Sequence, residues 1–145
     1  MELRLIKEFS LDDLVALYEA VGWHAYTRDP QGLVEAVQNS TYVVSLWDDD
    51  VLVGLARGLS DDVAIFYLQD VLVHPTWQGQ GLGRRLMEHC LQRFAHVRQK
   101  VLLTDGDARQ RRFYESLGYR DINTVEDGTL VAYVRLDDLE TGGAA

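Results

Sequence analysis

The sequence of 145 residues is poor in features that mark whole classes of protein. It contains a single cysteine, Cys90, which excludes an internal disulfide framework. No apolar run reaches the length of a transmembrane helix, and the first ten residues, MELRLIKEFS, lack the apolar core of a signal peptide. We therefore expect a cytoplasmic protein with no membrane partner.

Positive charge is also scarce. Fourteen lysines and arginines stand against 23 aspartates and glutamates, which gives a net charge of −9. This balance disfavours nonspecific binding to nucleic acid and is compatible with a cationic ligand. The length and the hydrophobic content of 47% predict one domain over residues 1–140, followed by a disordered tail at 141–145. A homodimer stays open.

Hydrophobic periodicity and capping residues predict a mixed α/β (α+β) fold. Ser10 and the pair Asp29-Pro30 are typical helix starts, and Gly22 and Gly118 are typical helix ends. The pattern predicts a mostly antiparallel sheet flanked by about four helices. The predicted strands are 2–8, 42–47, 51–59, 64–73, 101–103 and a final hairpin, 119–125 with 129–136, and the predicted helices are 11–21, 30–39, 81–96 and 108–117.

A glycine-rich loop separates the strand ending at Val73 from the helix that begins near Arg84. The loop reads QGQGLG from Gln78 to Gly83. A strand, a glycine loop and a helix in this order place backbone N–H groups against a bound anion. The dinucleotide fingerprint fails because Arg84 takes its last glycine position, and the P-loop fails because no Lys-Ser/Thr pair follows. The alternative is a tight turn whose glycines serve packing only.

Gln78, Gly81 and Gly83 fit the pattern Q/R-x-x-G-x-G/A, which resembles the acetyl-CoA pyrophosphate loop of the GCN5-related N-acetyltransferase (GNAT) superfamily. The strand ending DVLVHP and the segment RFYESLGY at 112–119 are similar to two further landmarks of that family. The resemblance implies a sheet with two central strands splayed apart and acetyl-CoA between them. The pieces WHAY, NS and GLAR are similar to a bacterial and plastid subgroup that includes arylalkylamine and protein acetyltransferases.

The resemblance also implies how acetyl-CoA is held. The main chain of β-strand residues 71–73 would contact the pantetheine arm, and the Leu72 N–H is the nearest match to the group that polarises the thioester carbonyl. Asp107 stands where many relatives have asparagine, so its contact with the same arm is open. The cofactor-binding candidates are Val71, Leu72, Val73, Gln78, Gly79, Gln80, Gly81, Leu82, Gly83, Arg84, Asp107 and Tyr114.

Two residues are candidates for proton transfer. Tyr114 lies in the motif in which the family carries the general acid, and its alternative role is to pack its ring beside the sheet. Asp70 is the candidate general base, and its alternative role is structural, capping a loop or pairing with an arginine. His24, Tyr67 and a water chain are further candidates for the base.

The front half of the chain is expected to recognise the acceptor, through His24, Tyr26 and Arg57. The alternative for the aromatic side chains of this half is core packing, which we expect for Trp23. We expect core packing for Cys90 as well. No cluster of cysteine and histidine indicates a metal. The leading hypothesis is an acetyl-CoA-dependent N-acetyltransferase for a small primary amine. Acetylation of protein lysines or N-termini and a non-catalytic acetyl-CoA-binding module are the alternatives.

Overall fold

A computed structural model describes residues 1–137, and these divide into two compact units, 1–103 and 104–137. Within the described residues, no helix is both long and apolar enough to cross a membrane. The predicted tail at 141–145 lies outside the described residues, and the single domain over 1–140 stays a prediction.

The helices of the first unit begin at the caps that the sequence predicts. Helix α1, Leu11–Ala20, starts where the Ser10 Oγ accepts the Asp13 N–H at 3.1 Å, and it ends before Gly22 at a φ of +82°. Helix α3, Pro30–Gln38, starts where the Asp29 carboxylate accepts the Gly32 N–H at 3.0 Å. Between them, in a segment for which the sequence predicts no helix, His24–Thr27 forms a single turn, α2.

Five strands of the first unit form one sheet in chain order. Neighbouring strands are antiparallel except for the last pair, which is parallel. The first strand ends at Arg4, so the predicted strand 2–8 was too long. The strands are β1 Glu2–Arg4, β2 Tyr42–Asp48, β3 Val51–Ser60, β4 Ile65–Val73 and β5 Gln99–Leu102.

Apolar side chains cover both faces of this sheet, which explains why β3 is buried along most of its length. On one face, α1 and α3 pack their buried residues Leu14, Leu17 and Leu33 against the strands. On the other, helix α4, Leu82–Arg93, packs against β2, β3 and β4, and the ring of Phe94 just beyond it stacks on Phe66 at 4.4 Å. The strand predicted at 101–103 is present as β5, but it begins two residues earlier, ends at Leu102 and is only half-buried.

The second unit contains helix α5, Ala108–Ser116, which is followed by Gly118 at a φ of +93° as predicted. The predicted hairpin is absent from residues 119–137. Two short 3-10 turns, Ile122–Thr124 and Glu126–Gly128, take its place. The Asp121 side chain accepts the Asn123 N–H at 2.9 Å, and Asp127 adopts a φ of +54°. These local bonds and left-handed residues compete with a strand ladder, which explains the difference.

Candidate functional site

Strands β4 and β5 separate at the middle of β4. Their pairing runs from Ile65 with Gln99 to Leu68 with Leu102, and β4 then continues to Val73. Within the first unit, residues 69–73 of β4 therefore have β3 as their only strand neighbour. The other edge of this stretch displays main-chain donors and acceptors that no strand uses.

The register decides which amides face that edge. The His74 N–H donates to the Val53 carbonyl at 2.8 Å, and hydrogen-bonded pairs alternate along an antiparallel ladder. Leu72 therefore points its main-chain groups at β3, whereas Val71 and Val73 point theirs at the open edge. The expectation that the Leu72 N–H faces the cofactor is thus corrected, since that amide belongs to the pair with Leu55.

The glycine loop follows this edge and is tied to it. The Gln78 Nε2 donates to the Val73 carbonyl at 2.9 Å, and the His74 Nδ1 accepts the Thr76 N–H at 3.1 Å. Gly79 and Gly81 have φ values of +81° and +78°, and apart from each glycine and its two chain neighbours no heavy atom lies within 4 Å of the position that a Cβ would take. The loop thus leaves open space directly above its backbone.

Helix α4 begins at Leu82, and no side chain caps its first turn. The first intrahelical bond runs from the Arg85 N–H to the Gly81 carbonyl at 3.0 Å, so the amides of Leu82 and Gly83 come before the hydrogen bonds of the helix begin. The positive end of the helix dipole adds to these donors. An open glycine cradle with helix N-terminal amides fits the pyrophosphate of acetyl-CoA.

A β-bulge aims two polar side chains at the helices α1 and α2. Arg57 pairs with Asp70 and Gly58 with Leu68, so Gln69 of β4 is the extra residue between the two pairs. Asp70 is 1% exposed, and its Oδ2 accepts from the Arg57 Nε at 2.7 Å. The same oxygen accepts from the Tyr18 hydroxyl at 2.9 Å. The Asp70 carboxylate is therefore ionically paired inside the protein.

Tyr26 completes this cluster from α2. Its hydroxyl donates to the Asp70 Oδ1 at 2.8 Å and accepts from the Gln69 Nε2 at 2.9 Å. The side chain is half-buried, and burial, followed by the Asp70 charge, raises the pKa of Tyr26 to about 12. Of the three predicted acceptor residues, Tyr26 and Arg57 thus meet at Asp70.

Arg57 is directed into the protein. It is 7% exposed, and its Nη1 donates to the Ser40 Oγ at 3.3 Å. Burial opposes its charge, but Asp70 and the neighbouring tyrosines more than offset this and raise its pKa. His24 lies outside the cluster and pairs through its Nδ1 with the Glu19 Oε2 at 2.9 Å. The geometry of Arg57 favours the structural alternative weighed for Asp70, which is pairing with an arginine.

The second unit holds the remaining candidates. Tyr114 is 8% exposed, with ring contacts to Phe113 at 5.0 Å and Tyr119 at 6.0 Å, and burial raises the pKa of Tyr114 to about 12. The Asp107 Oδ1 accepts the Gln110 N–H at 2.8 Å, so this carboxylate caps α5. Its predicted contact with the pantetheine arm stays a prediction.

Other residue types behave as buried or structural groups. Cys90 lies in the core, and burial raises the pKa of its thiol to about 12, which makes it a poor nucleophile. Across residues 1–137, no group of three or more His, Cys, Asp or Glu side chains is placed to hold a metal ion. Sequence reasoning missed Tyr18 and Gln69: the first lies in the apolar stripe of α1, and the role of the second depends on a bulge that leaves no sequence signal.

Comparisons with known proteins agree with this geometry. A family model described as the acetyltransferase (GNAT) domain matches residues 16–136. An uncharacterised N-acetyltransferase, ycf52, of Gracilaria tenuistipitata is 33% identical over 76% of the chain and 62% of its own length. The histone acetyltransferase TAP1 of Glycine max is 33% identical over 74% of the chain and 50% of its own length. The chain thus spans about half to two-thirds of the length of these relatives.

A solved structure gives the same picture for the fold. The GNAT-family acetyltransferase of Streptococcus pneumoniae superposes with a TM-score of 0.79 at 27% identity. The match covers 94% of this chain and 98% of that one. The fold of this chain is therefore shared with that structure over nearly the whole of both chains.

Proposed function

This chain belongs to the GNAT family of acetyltransferase domains, and we propose on that premise that it transfers an acetyl group from acetyl-CoA to a primary amine. The observation that carries the proposal is the open glycine cradle at the start of α4, joined to the exposed edge of β4. Both features lie within the first unit and need no partner residue from elsewhere.

The residues around this cradle suit acetyl-CoA as the co-substrate, which supplies the acetyl thioester. The amides of residues 79–84 would hold the pyrophosphate, and the main chain of Val71 and Val73 would hold the pantetheine arm. Arg84 and Arg85 add positive charge beside the loop, although Arg84 also pairs with Glu88 at 3.6 Å. Main-chain binding explains why the loop needs glycine more than any particular side chain.

Tyr114 is proposed as the general acid that protonates the departing thiolate. Its raised pKa keeps the phenol protonated throughout the neutral range, so the proton is always available. Asp70 is proposed as the base that finally receives the proton of the acceptor ammonium. Its enclosure by three donors means that this proton must arrive through a neighbouring side chain.

For the acceptor, we propose a small cationic amine of the arylalkylamine type. Trp23 and Tyr26 place aromatic rings beside the Asp70 cluster, 6.2 Å apart between centroids, and aromatic rings attract ammonium groups. Acetylation of protein lysines or N-termini is the second candidate, favoured by the 33% identity to a protein named as a histone acetyltransferase. A cytoplasmic location and a homodimer stay predictions.

A thiol-release screen tests this proposal. Purified chain would be mixed with acetyl-CoA and, separately, with arylalkylamines, polyamines, aminoglycosides, aminosugars and lysine peptides. We expect amine-dependent release of CoA that is greatest for an arylalkylamine. Release of CoA only with lysine peptides would instead support acetylation of proteins. Acetyl-CoA binding without release for any acceptor would instead support a non-catalytic binding module.

A further inference from the structure

We propose that the Tyr26 hydroxyl relays the proton of the acceptor amine to Asp70, so that Asp70 acts as a base through Tyr26 rather than by direct contact. The proposal deepens the function proposed above and rests on it. It concerns residues of the first unit only, and it turns a carboxylate that looks structural into the end point of a proton path.

Exposure identifies Tyr26 as the entrance to this path. Asp70 is 1% exposed, and its donors Tyr18 and Arg57 are 0% and 7% exposed. Among the three side chains that donate to Asp70, Tyr26 alone is only half-buried. A substrate outside the core can therefore touch the hydrogen-bond network at Tyr26 but not at Asp70.

Hydrogen bonding fixes the direction of the path. The Gln69 amide donates to the Tyr26 oxygen at 2.9 Å, so the single phenolic proton is directed to the Asp70 Oδ1 at 2.8 Å. The phenolic oxygen keeps capacity to accept one further hydrogen bond. Gln69 orients the hydroxyl but cannot carry a proton itself. The β-bulge at Gln69 thus places an orienting group and a proton acceptor at consecutive positions.

The relay balances in one step. The N–H bond of the acceptor ammonium breaks, the nitrogen keeps the electron pair, and the proton bonds to the Tyr26 oxygen. At the same time the phenolic O–H bond breaks, and its proton bonds to the Asp70 Oδ1. Tyr26 ends unchanged and Asp70 ends neutral. After product leaves, the proton returns from Asp70 through the Tyr26 hydroxyl to water, which restores the carboxylate.

Charged and titratable groups face Asp70 from three of the elements around it. Arg57 reaches it from β3, Tyr18 from α1, and Tyr67 interacts with it electrostatically from β4. The arginine forms an ion pair with this carboxylate at 2.7 Å. Burial, followed by the Asp70 charge, raises the pKa of Tyr18 well above its usual value, so that hydroxyl remains a donor throughout.

Two matched variants test the relay. Tyr26→Phe and Tyr18→Phe each remove one hydroxyl that donates to Asp70 and keep the ring, but only Tyr26 is accessible. We expect Tyr26→Phe to lower kcat by about 10²-fold, the lower end for loss of a general base, with the KM for acetyl-CoA retained. Tyr18→Phe should lower kcat by only about tenfold. Thermal unfolding should confirm that both variants are folded.

The double variant and the pH profile separate a relay from a structural role. Adding Asp70→Asn to Tyr26→Phe should cost no further activity, because both changes break the same path. The acidic limb of kcat against pH should be lost in Tyr26→Phe and kept in Tyr18→Phe. Equal losses in the two phenylalanine variants, or wild-type kcat in Tyr26→Phe, would overturn the relay while leaving acetyl transfer intact.

If the Tyr26→Phe variant fails to fold, a measurement on the wild-type protein still tests the relay. In mixtures of water and heavy water, two protons moving together give a curved dependence of kcat on deuterium fraction, and direct transfer gives a straight line. A curve supports the relay and a straight line overturns it. Wild-type protein that binds acetyl-CoA yet releases no thiol with any amine would overturn the proposed function and the relay together.

Discussion

Single residues of the glycine loop are the parts of this molecule most directly linked to cofactor binding. Gly22 and Gly81 have nearly the same φ, +82° and +78°, and at neither would an added Cβ lie within 4 Å of a heavy atom beyond the adjoining residues. Their surroundings differ, since Gly22 ends α1 and Gly81 precedes the uncapped start of α4. The two therefore separate backbone strain from ligand binding.

We expect Gly81→Ala and Gly22→Ala each to lower the free energy of unfolding by about 1 kcal/mol, the cost of a left-handed conformation with a side chain. Only Gly81→Ala should weaken acetyl-CoA binding, by about tenfold or more, because its Cβ occupies the space above the loop amides. Calorimetric titration and urea unfolding of both variants measure these effects. Equal affinities in the two variants would place the pyrophosphate elsewhere.

Tyr114 gives a second test at this scale. Tyr114→Phe keeps the buried ring and removes only the hydroxyl, so we expect a folded protein whose transfer rate falls by about 10²-fold. Tyr133→Phe, at a side chain that is 93% exposed, is the control and should behave as wild type. Because the pKa of Tyr114 is raised to about 12, its own alkaline limb should lie near that pH rather than near 10. A Tyr114→Phe variant with the full rate would remove this residue from the mechanism.

Strands β3 and β4 position the polar residues of the Asp70 cluster. The bulge between Arg57 and Gly58 turns both Gln69 and Asp70 towards α1 and α2. Gly58 sits at that irregularity, and a Cβ there would lie 2.4 Å from the Phe66 Cε1 and 2.8 Å from the Tyr67 carbonyl oxygen. At Gly54 on the same strand, the nearest atoms would be 3.3 Å and 3.4 Å away.

Gly58→Ala is therefore expected to cost about 2–3 kcal/mol, because backbone as well as a packed ring must move. Gly54→Ala should stay within about 1 kcal/mol of wild type, since β-strand preference for alanine over glycine offsets its mild contact with Leu86. Urea unfolding of the two variants provides the comparison. A Gly58→Ala protein as stable as Gly54→Ala would show that the bulge tolerates a side chain.

Local signals explain which elements the sequence predicts well. Ser10, Asp29 and Gly118 act within one helical turn of their own position, so the ends of the helices follow from them directly. The contact of Tyr18 with Asp70 joins residues 52 positions apart, and the bulge at Gln69 depends on the register of two strands. Neither the contact nor the bulge has a local signal, so the buried network could not be predicted from the sequence. The glycine loop could be, because its residues are consecutive in the sequence.

At the scale of the whole molecule, several buried groups make the fold sensitive to alkali. The pKa of Tyr26 and of Tyr114 rises from 10.0 to about 12, and that of Cys90 rises from 9.0 to about 12. The unfolded chain loses these protons first, so it binds fewer protons than the folded chain in this range. The stabilising contribution of these groups is therefore fully present below about pH 9 and is lost as pH rises towards 12.

We expect the free energy of unfolding to be level between about pH 8 and 9 and then to fall with a slope of about 1.4 kcal/mol per pH unit for each group whose protonation differs. Tyr114→Phe should make the slope above pH 10 shallower, and Tyr133→Phe should leave it unchanged. Urea titrations across this range provide the data. A slope that Tyr114→Phe does not alter would show that the Tyr114 phenol ionises equally in both states.

The mass spectrum of the reaction product tests directly whether this protein transfers an acetyl group to an amine. The chain would be incubated with an arylalkylamine and either acetyl-CoA or acetyl-CoA deuterated in its acetyl group, and the product would be fragmented. We expect an N-acetylated amine that carries the label of its donor and that forms only when the protein is present. Bound acetyl-CoA that remains intact with every amine and peptide, in folded protein, would contradict it.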